Sequence, residues 1–122
     1  MLLDSNLIIY ASRPQHAALR TFIAREVPSV SAISKVETLG YPDLTEAETQ
    51  FLEAFFEAAE VLPVSQSAIT EAIQLRQERR MSLGDALIGG TALSHDLRLA
   101  THNTEDFDWI EELEIIDPLA GE

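Results

Sequence analysis

The chain has 122 residues, 46% hydrophobic and 24% charged, with 21 acidic against 8 basic side chains and a formal net charge of −13. This length and composition predict one globular domain over 1–122 and exclude a disordered or fibrous chain. Cysteine is absent, which excludes disulfides and thiolate sites; no apolar run is long enough for a membrane helix, so we expect a cytoplasmic protein.

Short apolar runs alternate with helical patterns along the chain. After a first run at Leu2 and Leu3, strands are predicted over 29–33, 61–64, 97–101 and 113–116. Helices are predicted over 6–11, 15–26, 35–39, 45–59, 68–80, 83–94 and 105–112. Short strands separated by helices favour an α/β fold with a parallel sheet.

A small subset of the acidic residues falls near the carboxyl ends of the predicted strands, where α/β folds gather their ligands. Asp4 ends the first strand and Glu37 lies just beyond the second. Asn103 and Asp106 lie just beyond the fourth strand, and Asp85 opens the helix before it. These residues are the candidates for a functional site.

Helix capping is a simpler explanation for several of these acids taken singly. The segments 34–37, 45–48, 82–85 and 103–106 each combine a capping side chain with an acid three residues later, as in a capping box. An acid at that position also complements the positive end of the helix dipole. Capping alone therefore accounts for the acids at 37, 85 and 106 taken singly, but not for the gathering of these acids and Asp4 at one sheet edge.

The joint pattern of acids indicates a divalent metal site. Neighbouring carboxylates raise each other's pKa values, and an ion bound between them removes that cost. Clustered carboxylate oxygens suit Mg²⁺, with Mn²⁺ as an alternative. Phosphodiester hydrolysis is the natural reaction of such a site, since the ion activates water and neutralises phosphate charge. Whether the site holds one or two ions stays open.

Three segments carry a family resemblance, beginning with Leu-Leu-Asp-Ser-Asn-Leu-Ile over 2–8 and Val-Ser-Ala-Ile-Ser-Lys-Val-Glu-Thr-Leu over 30–39. The third combines Gly-Asp-Ala-Leu-Ile-Gly-Gly-Thr-Ala-Leu over 84–93 with Leu-Ala-Thr-His-Asn-Thr-Glu-Asp-Phe over 99–107. Their order and spacing resemble the PIN-domain nucleases, in particular the toxin ribonucleases of VapBC-type toxin–antitoxin pairs. The resemblance implies a three-layer α/β/α fold around a mainly parallel sheet of four to five strands. It also implies a Mg²⁺-dependent endoribonuclease, a homodimer and a small antitoxin partner.

The same resemblance assigns roles to individual residues. Asp4, Glu37 and Asp85 correspond to catalytic, metal-binding acids of the family. Ser5 would support the site as the hydroxyl beside the first acid, and Asn6 would orient it.

The fourth acid has two candidates. Many family members carry an aspartate where this chain has Asn103, whereas others have the Thr-x-Asn-x-x-Asp-Phe form found here. In that form the later acid is Asp106. We take Asp106 as the fourth catalytic and metal-binding acid and Asn103 as a residue that lines the site.

Basic residues are few, and the one dense cluster is Arg76, Arg79 and Arg80 at helical spacing. These arginines, with Lys35, are candidates to hold RNA phosphates beside the acids. Salt bridges to surface acids are an equally good explanation. The net charge of −13 suits a basic antitoxin segment better than free RNA.

Two other classes of protein are alternative interpretations of the sequence. A phospho-acceptor receiver domain needs paired acids after the first strand, an acceptor aspartate after the third and a lysine after the fifth. Here Asp4 is followed by Ser5, the third strand is followed by Ser65, and Lys35 is the only lysine. A catalytically silent PIN-like binding module would show loss of the acids, and three of them stand at the expected positions.

Overall fold

The structure, a computed structural model, describes residues 1–121. Within these residues the strands are β1 (Leu2–Leu3), β2 (Val30–Ser31), β3 (Val61–Leu62), β4 (Leu99–Ala100) and β5 (Ile115–Ile116). The helices are α1 (Ser5–Ala11), α2 (Ala17–Glu26), α3 (Ala32–Leu39), α4 (Glu46–Ala58), α5 (Gln66–Glu78) and α6 (Leu83–Ser94). A 3₁₀ turn, Thr104–Asp106, lies between β4 and β5. No helix in this part of the chain is both long and apolar enough to cross a membrane.

All strand pairs are parallel, as predicted. β1 pairs with β4, β4 with β5, and β2 with β3. A parallel bridge between Leu2 and Ser29 joins the two sets, so the strands lie in the order β3, β2, β1, β4, β5. β1 is central, with the next strand in sequence on one side and β4 on the other. Such a switch point opens a crevice at the carboxyl end of the central strand, which here is followed by Asp4.

Successive strand residues face opposite sides of the sheet and seed two separate cores. Leu3 and Ala100 pack into a core with apolar residues of α1, α2 and α4, whereas Leu2 and Leu99 pack into another with α5 and α6. Helices therefore cover both faces of the sheet. The predicted three-layer α/β/α architecture is confirmed.

The strands are shorter than predicted, and α3 begins earlier. Ser31 ends β2 and caps α3, since its hydroxyl accepts a hydrogen bond from the backbone N–H of Ile33. The helix therefore starts at Ala32, and the expected capping box over 34–37 is wrong. Glu37 consequently lies in the second turn of α3 and has no capping role.

The predicted helix over 105–112 is also wrong. Only the 3₁₀ turn Thr104–Asp106 forms, and single i→i−3 bonds continue from Ile110 to Phe107 and from Leu113 to Ile110. Phe107, Ile110 and Leu113 are all buried. Their spacing of three residues matches the period of tight turns better than the 3.6 period of an α-helix.

Of the other predicted caps, Thr45 and Glu48 form the full capping box of α4. Ser82 caps α6 and accepts a hydrogen bond from the backbone N–H of Asp85. Asn103 precedes the 3₁₀ turn without a side-chain capping bond. Helix capping therefore explains Glu48 fully and explains the position of Asp85 in part. Glu37 and Asp106 have no capping role.

Candidate active site

Asp4 lies at the carboxyl end of the central strand and is 4% exposed. Its backbone N–H donates to the carbonyl of Ala100 at 2.9 Å, which brings the residue after β4 alongside it. That residue, Thr101, is fully buried and donates its hydroxyl to Oδ2 of Asp4 at 2.8 Å. The parallel pairing of β1 and β4 thus fixes the orientation of one carboxylate.

Glu37 is held by the hydroxyl of Ser5 in α1, which is itself hydrogen-bonded to the hydroxyl of Ser34 in α3. Ser5 Oγ donates to Glu37 Oε1 at 2.7 Å. Ser34 Oγ lies 2.8 Å from Ser5 Oγ and is fully buried. Because the Ser5 hydrogen is used on Glu37, Ser34 is the donor in the second bond. Ser5 therefore contacts an acid, as expected for a supporting residue, whereas Ser34 was predicted only as a cap.

Gly84, at the start of α6, faces the same carboxylate. A Cβ at Gly84 would collide with Oε2 of Glu37. The missing side chain therefore leaves room for the Glu37 carboxylate between α3 and α6. A glycine in a helix is normally unfavourable by about 1 kcal/mol relative to alanine, and its position here coincides with this close approach.

Asp85 lies one residue later, in the first turn of α6, and is partly buried. Burial raises its pKa, and the charges of Asp106 and Glu37 raise it further, against the opposing hydrogen bond with Ser82. Asp106 itself is exposed at the end of the 3₁₀ turn. The structure therefore brings Asp106 into electrostatic contact with the acid of α6.

The four candidate acids interact as one group. Burial raises the pKa of Asp4 from 3.8 to about 6, with further contributions from the charges of Asp85 and Glu37 and partial opposition from the Thr101 hydrogen bond. Asp85 in turn responds to Glu37 and Asp106. Among residues 1–121, no three His, Asp or Glu side chains are already arranged as a metal-coordination sphere. The donor set is nevertheless entirely carboxylate oxygen, the chemistry that Mg²⁺ and Mn²⁺ prefer.

Of three other candidate residues, one lies at the edge of the acidic group and two do not contact it. Asn103 is partly buried, and its backbone N–H donates to the Thr101 hydroxyl at 3.1 Å. Asn6 and Lys35 are exposed, and neither side chain has a hydrogen bond within the described residues. The structure thus brings Asn103 to the site edge and shows no contact between Asn6 or Lys35 and the acids.

The arginine cluster lies at the end of α5, close to the acids. Arg79 and Arg80 line a cavity of about 320 Å³ together with Asp85 and Asp106. Arg76 lines the adjoining cavity with both of them. Within residues 1–121 the ion pairs involve Arg13, Arg25 and His102, and none involves an arginine of this cluster.

Several residues that contact this site were not predicted as site residues. Thr101 fixes the Asp4 carboxylate, Ser34 bonds to the Ser5 hydroxyl that holds Glu37, Gly84 makes room for Glu37, and Trp109 lines the arginine-containing cavity. Thr101 is the last residue of a predicted strand, and the carboxyl ends of parallel strands meet at one sheet edge, so the parallel-sheet pattern was a usable signal. The other three depend on contacts between elements far apart in sequence.

The chain belongs to the PIN domain family, whose model matches residues 1–113. This is a family of nuclease-type hydrolases. The predicted family membership is confirmed. The comparison with curated proteins gave no significant match.

Solved structures with the same fold cover almost the whole chain. A toxin–antitoxin complex from Klebsiella pneumoniae contains a chain 26% identical, with 96% of each chain covered and a TM-score of 0.76. DNA-bound VapBC from Salmonella typhimurium contains one 24% identical, with 96% of each covered and a TM-score of 0.83. VapBC2 from Rickettsia felis, bound to a promoter DNA fragment, contains one 20% identical, with 94% of this chain and 96% of that chain covered and a TM-score of 0.82.

Proposed function

We propose that this PIN domain is a metal-dependent endoribonuclease and the toxin component of a toxin–antitoxin pair. The observation that supports it best is the electrostatic coupling of Asp4, Glu37, Asp85 and Asp106 at the carboxyl edge of the sheet. Gathering like charges around a buried carboxylate costs free energy, and a bound cation offsets that cost. A group of residues that served only the stability of the fold would not need these acids close together.

In this proposal Asp4 and Asp85 bind Mg²⁺ or Mn²⁺, and Glu37 and Asp106 complete the site. When bound, the ion would supply Lewis acidity for activating water and neutralising charge on the phosphodiester. Thr101 holds the Asp4 carboxylate in place, and Ser5 holds that of Glu37. Asp106 is exposed, so its side chain is free to turn toward the ion.

The remaining candidates surround this centre. Asn103 lines it beside Thr101. Arg76, Arg79 and Arg80 provide positive charge next to an acidic group, which is where a polyanionic substrate needs it. Lys35 stays a candidate for binding RNA phosphate because of its charge, and Asn6 stays a supporting residue through the family resemblance alone.

A protein partner is supported by surface composition. Exposed large apolar side chains occur at Val27, Val36, Tyr41, Ile69, Ile73 and Leu83, and these are available for contact with a protein partner. The related chains come from toxin–antitoxin complexes. We propose that a basic segment of a small antitoxin binds this acidic protein. The homodimer stays a prediction.

The direct test is incubation of the purified chain with a structured RNA and with single-stranded DNA of the same sequence. We expect cleavage of RNA in Mg²⁺ or Mn²⁺, none in EDTA, and recovery when excess Mn²⁺ is returned. Asp106→Asn should reduce cleavage, whereas the matched control Asp108→Asn, another exposed aspartate two residues away, should not.

Each alternative has its own outcome in that assay. Cleavage that persists in EDTA would exclude a metal-dependent reaction. Absence of cleavage with every RNA and DNA substrate would favour a catalytically silent binding module. Cleavage of DNA alone would overturn the choice of RNA as substrate.

Gly84→Ala tests whether the position of Glu37 matters. The new Cβ would displace the Glu37 carboxylate, and we expect RNA cleavage to fall about 10- to 100-fold, as for lost positioning contacts at metal sites. The fold should persist, since the displaced atom ends a flexible side chain and alanine favours the helix. Gly89→Ala, the same change in the same helix toward Leu75, is the control. Equal activity of the two variants in initial-rate assays would show that Gly84 does not position Glu37.

A further inference from the structure

We propose that Arg79 and Trp109 form a stacking subsite for a nucleobase of the RNA, immediately beside the carboxylate group. This inference rests on the proposed ribonuclease function and deepens it. It concerns the cavity of about 320 Å³ that Asp85 and Asp106 share with both residues.

The two side chains come from segments that are distant in sequence and meet in the folded chain. Arg79 is the C-cap residue that follows α5, and its guanidinium carbon lies 5.5 Å from the centroid of the Trp109 ring. The indole N–H of Trp109 donates to the carbonyl of Asp106 at 3.0 Å. The ring is therefore tied to the backbone of a residue that we place in the active site.

The chemistry of this cavity suits a base better than a phosphate. Asp85, Glu105 and Asp106 line it together with Arg79 and Arg80, so the cavity carries charges of both signs. An uncharged base avoids the repulsion that a phosphate inside it would meet from the three acids, and the arginines stay available to the adjoining phosphates. RNA bases bind proteins by stacking on aromatic rings and on planar guanidinium groups. A guanidinium 5.5 Å from the centroid of a tryptophan ring brings both kinds of group to one place, and the arginine charge also attracts the adjoining backbone.

The subsite has a direct spectroscopic reporter, because Trp109 is the only tryptophan in the chain. The Asp4→Asn variant is used because we expect it not to cleave RNA. It would be titrated with a short single-stranded RNA of randomised sequence. The probe for comparison is an abasic strand with the same number of phosphates. Binding of each strand would be followed in parallel by the anisotropy of a terminal label.

We expect saturable quenching of tryptophan emission by the RNA and little quenching by the abasic strand. In the protein with Asp4 intact, Trp109→Ala should raise KM about 5- to 100-fold, the range of a lost base–aromatic stack, with kcat little changed. Trp109→Phe should restore most of the affinity, although it also lacks the indole N–H. Arg79→Ala should weaken binding, whereas Arg25→Ala, which removes a similar arginine over Phe22 at 5.6 Å, should not.

The outcomes separate this subsite from the proposed function. RNA that binds or is cleaved without any change in Trp109 emission would overturn the subsite and leave the nuclease intact. Equal quenching by the two strands would also overturn it, since a base would not be needed. Absence of RNA binding by anisotropy, together with absence of cleavage, would overturn both. Because Arg79 is exposed, its variant keeps the test valid even if Trp109→Ala fails to fold.

Discussion

Asp4→Asn should abolish measurable RNA cleavage and at the same time stabilise the metal-free protein. The activity loss, of order 10²- to 10³-fold or more, follows from removing a charge that holds the ion and its substrate phosphate. The stability gain follows from burial. Asp4 is 4% exposed and its pKa is raised to about 6, so its ionised form destabilises the fold near neutral pH.

The asparagine is a close substitute in shape and bonding. Its side-chain oxygen still accepts the Thr101 hydroxyl that now donates to Asp4. We therefore expect the free energy of unfolding in EDTA near pH 8 to rise by about 1–3 kcal/mol, measured by urea denaturation. Initial-rate cleavage assays on the same preparation give the activity.

Asp96→Asn is the matched control for charge. Asp96 is exposed, and its φ of 54° is a conformation that asparagine adopts readily. It removes the same unit of negative charge far from the site and should leave cleavage unchanged. Loss of activity accompanied by loss of stability in Asp4→Asn would identify Asp4 as a purely structural residue. Full activity in that variant would contradict its role as a metal ligand.

The second large effect is a coupling between pH, metal and stability. The folded-state pKa of Asp4, about 6, lies above its ordinary 3.8. Between these values the folded chain binds more protons than the unfolded chain, so stability falls as pH rises through 6. Asp4 alone accounts for about 3 kcal/mol of this fall. The raised pKa of Asp85 acts in the same direction.

A divalent ion competes with those protons. Mg²⁺ or Mn²⁺ should therefore stabilise the protein strongly above about pH 6 and weakly below about pH 5. The measurement is Tm by circular dichroism in EDTA and in excess metal across this range. The pKa of Glu48 is held low by hydrogen bonds from Thr45, so its contribution is lost on acidification. Glu48 is unchanged in Asp4→Asn, so the difference between the two proteins isolates Asp4.

This coupling has a clear contradicting result. If the Tm curves of the natural chain and Asp4→Asn ran parallel from about pH 5 to about pH 8, Asp4 would not carry the titration. If added metal raised Tm equally at both ends of the range and in both proteins, the ion would be bound to scattered surface acids. An acidic chain of net charge −13 makes that control necessary.

The fold was predictable because its determinants are local and repeated. Apolar residues of α4 and α6 follow the helical period, and Leu2 and Leu3 supply the opposite faces of a buried strand. The chain over 105–113 misled the helix prediction because its apolar residues recur every three positions. Nothing in that period alone separates a short amphipathic helix from consecutive tight turns.

The site was predictable in part. Strand ends and the family resemblance selected Asp4, Glu37, Asp85 and Asp106, which the structure brings into electrostatic contact. The reason for the position of Glu37 was missed, since Ser34 was interpreted as a cap. Its real partner lies 29 residues away at Ser5.

The arginine cluster shows the same limit of sequence reasoning. Its helical spacing was evident, and its place beside the acids depends on how α5 packs against the turn after β4. Arg79 and Trp109 are in contact although they are far apart in sequence, and no sequence periodicity predicts that they meet. Contacts of this kind are visible only in the folded chain.

The most direct test of the carboxylate centre is anomalous diffraction from crystals of the protein soaked in Mn²⁺. We predict an anomalous peak bounded by the carboxylates of Asp4 and Asp85, near those of Glu37 and Asp106, and absent from identically soaked Asp4→Asn crystals. Manganese bound only elsewhere on the surface, in a protein that still cleaves RNA when the crystals are dissolved, would contradict the assignment of these acids as the metal centre.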